Sequence, residues 1–309
     1  MNQIYDVVIV GGGPGGYTAA LYCVRAGLST LVLESLAPGG QLATTSRVDN
    51  YPGFDEGIDG FELAQRMQKG AERFGAETRF IQVEGMELDG TIKRIRLSDG
   101  EVEAHVVILA TGAAPRELGL PAEQRLRGKG VSYCATCDGN FYKGKIVAVV
   151  GGGNSAAEEA LVLAKLCKKV YIVHRRDAMR ATKSYLLPLE QMENIEFLWN
   201  REVADLQGEE KLTGLLLRDV KSGESSSLAV DGLFVAIGRI PSTELCRGIL
   251  DLDEAGYVLA DETTRTNLPG VFAVGDMRAK PLRQIITAAS DGAVAAKFAE
   301  EYLSGRAAI

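Results

Sequence analysis

The sequence predicts an α/β protein of two Rossmann-like, three-layer ββα dinucleotide-binding domains, the second inserted into the first. Three observations carry that expectation. A unit of strand, glycine loop, helix and strand occurs twice, over residues 5–33 and 145–173. Each copy later closes with an apolar strand ending in glycine, over 106–112 and 233–238. The C-terminal stretch holds a strand and a long helix with no glycine loop of its own, so it completes the first copy and does not begin a third.

The elements follow in order. Residues 5–10, Tyr-Asp-Val-Val-Ile-Val, are β-branched and read as a strand. The loop Gly11–Gly16, a helix over 17–26 and a strand over 30–33 complete one βαβ unit, whose right-handed crossover makes the strands parallel. Asp89-Gly90 and Asp99-Gly100 punctuate further strands between about 77 and 104. The second unit runs from the strand 145–150 through the loop Gly151–Ala156 and a helix to about 168, then a strand over 170–173. Strands near 196–199, 212–219 and 226–230 follow. Two Pro-containing stubs, 113–116 and 239–242, read as linkers. The tail resumes at 270–276 and ends in an Ala-rich helix over 283–304. The expected domains are 1–113 with 243–309, and 114–242.

Composition narrows the class. A chain of 309 residues is long for one core, and 46% hydrophobic with 24% charged residues describes a soluble globular protein. A net charge of −7 argues against a general nucleic-acid surface. Five cysteines in this length are no disulfide scaffold. The first strand follows almost no basic leader, so no signal peptide is expected, and no apolar run approaches the roughly 20 residues of a membrane span. A cytosolic location is expected, with no membrane or nucleic-acid partner.

Gly11, Gly13 and Gly16 fit G-x-G-x-x-G, in which the glycines allow a tight turn, close approach of a pyrophosphate and close helix packing. Glu34 ends the next strand, where an acid binds the ribose hydroxyls of an unphosphorylated adenosine, as in FAD. An ordinary strand–helix turn is the bland alternative. Gly151, Gly153 and Ala156 fit the G-x-G-x-x-A variant. Here the strand end reads His174-Arg175-Arg176, with Arg180 beyond, which suits a 2′-phosphate and hence NADPH. A solvated basic face, with Lys165, Lys168, Lys169 and Lys183 nearby, is the alternative.

Cys134 and Cys137 form a C-x-x-C pair followed by Asp138, which could exchange a proton with a thiol. Half a zinc site is the structural alternative, yet Cys23, Cys167 and Cys246 are scattered, the only histidines are His105 and His174, and no metal is expected. Two inert cysteines are the other. A dithiol beside two dinucleotide sites suggests a circuit from nicotinamide through flavin to disulfide.

Taken together, Gly11–Gly16, Pro38-Gly-Gly-Gln41, Asn50-Tyr-Pro-Gly53, Cys134-Ala-Thr-Cys-Asp-Gly139, Gly151–Ala156, His174-Arg-Arg-Asp177 with Arg180, and Gly275-Asp276 with Arg283-Gln284 resemble the low-molecular-weight, bacterial-type thioredoxin reductases. The resemblance covers essentially the whole chain, and Cys-Ala-Thr-Cys-Asp is its most specific part. It implies a homodimer, FAD in the discontinuous domain and NADPH in the inserted one. FAD contacts are implied at Gly11, Gly13, Pro14, Gly16, Glu34, Ser35, Gly39, Gly40, Gln41, Asn50, Thr111, Gly112, Asp276, Arg283, Gln284 and Ile285. NADPH contacts are implied at Gly151, Gly153, Asn154, Ser155, Ala156, His174, Arg175, Arg176, Arg180, Ile237 and Gly238. The implied partner is thioredoxin or a thioredoxin-like protein, reduced through Cys134 and Cys137. Because the dithiol and the nicotinamide site share one domain and must both serve one flavin, a hinge at the stubs is expected. A reductase of a specialised redoxin or small disulfide, and a ferredoxin- or flavodoxin–NADP reductase-like enzyme, are the rival readings.

Overall fold

The computed structural model describes residues 4–45 and 47–307. They divide into two compact units, Met1–Ala114 with Ile240–Ile309, and Pro115–Arg239. Residues 1–3, 46 and 308–309 of the expected domain spans lie outside the described residues.

The first unit opens with β1 (Ile4–Val10), α1 (Pro14–Arg25), β2 (Thr30–Glu34), α2 (Gly60–Glu72), β3 (Glu77–Phe80), β4 (Val83–Glu87), β5 (Lys93–Leu97) and β6 (Gly100–Leu109). Its sheet has the order β3-β2-β1-β6-β5-β4. The glycine-loop strand is therefore central, parallel to β2 (Val8 opposite Leu31) and to β6 (Val8 opposite Val107). Alternation along β1 builds two cores. Val7 and Ile9 pack with Tyr17, Ala20 and Cys23 of α1, while Val8 and Val10 pack with Ile95 and Leu97 of the antiparallel hairpin side. Each such side chain contributes roughly 1.5–3 kcal/mol on burial, and a one-residue slip would invert every one of them.

Helix α1 begins at Pro14, three positions before the expected 17, since proline presets the helical φ and lacks only an N–H that a first turn cannot use. Helix α2 was not anticipated, although Asp59 caps it by accepting the Glu62 N–H at 2.9 Å, a pattern readable as Asp-x-x-Glu.

The chain crosses by β7 (Ala113–Pro115) and forms α3 (Glu123–Leu126), β8 (Val131–Ser132), α4 (Ala135–Asp138), β9 (Ile146–Val150), α5 (Asn154–Ala164), β10 (Lys169–His174), α6 (Lys183–Glu190) and β11 (Ile195–Trp199). Then come β12 (Arg201–Gln207), β13 (Gly214–Asp219), β14 (Ser225–Ala229) and β15 (Gly232–Val235), and the return strand β16 (Arg239–Pro241). A sheet of order β11-β10-β9-β15-β8 is parallel throughout, and β12-β13-β14 is antiparallel. Val147 and Val149 pack on α5 through Ala156, Ala160 and Leu163, whereas Ala148 and Val150 pack on Leu206, Leu215 and Leu217 of the antiparallel layer. This is the expected three-layer unit. The stubs expected as linkers pair as a two-stranded sheet, β16-β7. Helix α5 stops at Ala164, short of 168, because the Lys168 N–H turns to the Lys145 carbonyl at 2.8 Å and draws the chain into the sheet.

The tail adds β17 (Val271–Ala273), parallel to β6, and α7 (Ile285–Ala307), which starts two residues after the expected 283. Helices α7 and α1 cross so closely that a Cβ on Gly292 would lie 2.2 Å from the Gly15 carbonyl oxygen. Among the described residues, no helix is long and apolar enough to cross a membrane.

Candidate active site

Backbone sterics shape the first glycine loop. Gly11 adopts φ +106°, and a Cβ on Gly16 would stand 2.0 Å from the Gly11 oxygen. A Cβ on Gly13 meets nothing within 4 Å, so the space there is open. The first bond of α1 runs from the Tyr17 N–H to the Gly13 carbonyl, leaving earlier N–H groups of the turn without a helical acceptor. Open backbone and a helix N-terminus fit a pyrophosphate. Beneath the loop, Glu34 Oε2 accepts the Gly12 N–H at 2.8 Å, and Oε1 accepts the Ser35 N–H at 2.7 Å. Oε1 also accepts the Ser35 hydroxyl and the Leu36 N–H, both at 3.2 Å, so the acid braces the turn and its remaining acceptor capacity lies on Oε2.

Other expected FAD residues of this unit converge from distant segments. The Gly39 N–H donates to the Gly12 carbonyl at 2.7 Å, and Gln41 donates to the Ala113 carbonyl. Asn50 donates to Gln284 Oε1 at 3.0 Å across 234 residues of sequence. Arg283 lies over the Tyr257 ring, 4.0 Å from its centroid, and donates to the Asp276 carbonyl at 3.3 Å. The Thr111 hydroxyl donates to the Ser242 carbonyl at 2.6 Å, and the Gly112 carbonyl accepts the Ser242 N–H.

A buried ionic cluster that the sequence did not disclose fixes the Gly275-Asp276 turn. Asp291 of α7, 6% exposed, accepts the Gly275 N–H at 2.9 Å, Arg278 Nε and Nη2 at 2.9 Å, and Lys280 Nζ at 2.7 Å. Burial pushes the Asp291 carboxyl up, but these donors outweigh it and hold it below its ordinary value.

The second loop repeats the backbone with different bracing. Gly151 adopts φ +154°, Gly153 again faces open space, and buried Ala156 takes the third-glycine place. Asn154 Oδ1 accepts the Thr182 N–H at 2.9 Å, next to exposed Ser155. Arg175, Arg176 and Arg180 are exposed, and the Arg180 N–H donates to the Gly152 carbonyl at 2.6 Å. His174, by contrast, is buried, its ring 2.1 Å from where a Cβ on Gly152 would be. Burial first, then the charges of Arg176, Arg180 and Arg175, keep this imidazole's pKa below the ordinary 6.5. Ile237 is half-buried, and the Gly238 carbonyl accepts the Arg116 N–H.

In the same unit Cys134 and Cys137 form a disulfide with a Cα–Cα distance of 5.3 Å. Cys134 caps α4, and its carbonyl accepts the N–H groups of Cys137 at 3.2 Å and Asp138 at 3.0 Å. Ser132 donates to Asp138 Oδ2 at 2.6 Å. Burial raises the Asp138 carboxyl above its ordinary value, and the Ser132 hydrogen bond opposes that. A second acid went unnoticed in the sequence. Glu159 of α5 has a buried Oε2 with no hydrogen-bond partner, and burial, moderated by Arg239, pushes its pKa up to about 7. Its only sequence signal is position, since residue 159 falls on the core-facing side of a helix after a glycine loop. Cys23, Cys167 and Cys246 are buried free thiols, which burial pushes up to about 12, 11 and 11.

The family model for pyridine nucleotide-disulphide oxidoreductases matches residues 5–292. The chain is 51% identical over 310 residues to a thioredoxin reductase of Streptomyces clavuligerus, covering 99% of this chain and 96% of that one. It is 47% identical to a bifunctional thioredoxin reductase/thioredoxin of Mycobacterium leprae, covering 99% of this chain and 67% of the other. The crystal structure of thioredoxin reductase from Streptococcus pyogenes superposes with a TM-score of 0.93 at 42% identity, covering 99% of this chain and all of that one.

Proposed function

Since the chain belongs to the pyridine nucleotide-disulphide oxidoreductases and, within them, to the thioredoxin reductases, we propose how its residues divide the work. The enzyme is an NADPH-dependent thioredoxin-disulfide reductase that uses FAD. FAD, when bound, relays the electron pair of NADPH to the disulfide.

The first unit holds FAD. Gly11, Gly13, Pro14 and Gly16 bring the N-terminus of α1 to its pyrophosphate, Glu34 and Ser35 take its ribose, and Gly39–Gln41, Asn50, Thr111 and Gly112 line its path. Asp276 and Arg283–Ile285 hold the flavin end, on a turn fixed by Asp291. The second unit holds NADPH. Gly151, Gly153, Asn154, Ser155 and Ala156 receive the pyrophosphate, Arg175, Arg176 and Arg180 the 2′-phosphate, with His174, Ile237 and Gly238 shaping the pocket.

Two electrons convert the Cys134–Cys137 disulfide to a dithiol. One thiolate then attacks the disulfide of thioredoxin, breaking that bond and forming a mixed disulfide. The second thiol displaces it, so thioredoxin leaves as a dithiol and the Cys134–Cys137 bond re-forms. Asp138 takes up and returns a proton at these sulfurs. The observation that carries this reading is the Cys134–Cys137 disulfide on a turn tied to a half-buried carboxyl. The Mycobacterium leprae relative, named for both activities, supports thioredoxin as the partner.

Following nicotinamide absorbance with purified protein and thioredoxin tests the assignment. NADPH should be consumed readily and NADH poorly. Serine at both 134 and 137 should end thioredoxin reduction while sparing small electron acceptors; persistence of thioredoxin reduction would refute it. A cytosolic homodimer completes the proposal, and sedimentation at the mass of one chain would count against the dimer.

A further inference from the structure

Ser132 ends β8, which pairs with the buried strand β15, Ser132 lying opposite Phe234. The sheet therefore fixes its backbone, and the residue is 4% exposed. Its hydroxyl accepts the Cys134 N–H at 3.2 Å and stands 2.6 Å from Asp138 Oδ2. The Cys134 carbonyl is farther away, at 3.5 Å. A hydroxyl has one proton to donate, so with its oxygen accepting from Cys134 the proton is directed at Asp138. One atom thereby joins the two ends of the turn that carries the disulfide.

The surroundings give that bond its weight. Among the described residues, Tyr142 from the turn 139–142 and Glu159 from α5 feel the charge of Asp138, while its own turn carries the disulfide. Neither residue is a cation, and Arg239 acts on Glu159. We propose that Ser132 is a positioning residue for the dithiol step, aiming the Asp138 carboxylate along the turn and biasing it toward the charged form that takes up a thiol proton. The inference rests on the reading of Asp138 as the proton acceptor.

A double-mutant cycle tests it in the full-length holoenzyme, with S132A, S132T, D138N and S132A/D138N. S132A should slow thioredoxin reduction about tenfold near neutral pH, the scale of one hydrogen bond to a charged group, and shift the carboxyl limb of the pH profile upward. Flavin reduction by NADPH should not change. S132T, which keeps the hydroxyl, should recover most of the rate. In the D138N background, S132A should cost nothing further, because its partner charge is gone. Isotope-edited NMR of the oxidised protein should show the Asp138 carboxyl titrating higher in S132A than in the wild type or S132T. A tenfold loss that recurs in D138N, or superimposable Asp138 titrations, overturns the inference while leaving the reading of Asp138 intact. Full activity in D138N removes that reading, and the inference with it.

Discussion

The two glycine loops share a backbone and differ in what lies beneath it. Glu34 and His174 are the last residues of β2 and β10, in matching topological places. Under the first loop a carboxylate accepts the Gly12 N–H; under the second an imidazole ring fills the space that a side chain on Gly152 would need. One turn is braced by a hydrogen bond, the other by packing. The choice also fixes the local charge. An acid repels a 2′-phosphate, whereas a histidine held neutral leaves the field to Arg175, Arg176 and Arg180. Under the proposed division of nucleotides, a single strand-end position and its neighbours set the opposite preferences of two copies of one supersecondary unit.

The third loop position is where this comparison breaks most sharply. Gly16→Ala drives a Cβ into the Gly11 carbonyl oxygen, so unfolding of the first unit should become easier by roughly 3 kcal/mol, with FAD retention lost alongside; thermal unfolding and flavin content measure both. The charge difference is tested next. Replacing Arg175 and Arg176 together by alanine should cut the NADPH-over-NADH preference about 100-fold in kcat/KM, two charge-assisted contacts being removed. For the first loop, Glu34→Gln keeps the shape and removes the charge, and FAD binding measured by fluorescence should weaken about tenfold. Ala156→Gly is the mild counterpart of Gly16→Ala. It relieves no clash and should cost only about 1 kcal/mol, as glycine in a helix does.

The smallest expected effect is a pH dependence confined to the second unit. His174 has a folded pKa below 6.5, so the unfolded chain binds its proton first as pH falls. Its contribution to stability is complete above 6.5 and declines as pH drops from there through the lower folded value. Urea midpoints of the wild type and H174N, compared from neutral to acid pH, should converge as the wild type loses this advantage. Parallel midpoints would show that the ring does not titrate in this way.

The parts readable from sequence are those whose meaning is local. Gly11, Gly13 and Gly16, their counterparts at 151, 153 and 156, and the Cys134–Cys137 spacing each lie within a single turn, where residue type and separation determine geometry. The Glu34 and Arg175 contrast was legible for the same reason, since the strand end has a known place relative to the loop before it. The β-branched runs of β1 and β9 announced strands buried on both faces, and the repeated βαβ unit announced the layered architecture. Helix α2 was missed despite its Asp59 cap, and the stubs read as linkers are paired strands, because pairing depends on what lies alongside.

By itself, then, the sequence determined two glycine loops with strand ends of unlike charge and a closely spaced cysteine pair, because short-range sterics and side-chain chemistry suffice for each. Only the tertiary structure decided that Asp291 gathers Arg278, Lys280 and the Gly275 N–H, that Asn50 meets Gln284, and that a half-buried Glu159 stands within electrostatic reach of Asp138. Periodicity tells which face of an element is buried. It does not tell which other face arrives to cover it, and the polarity of a buried group is set by that arrival.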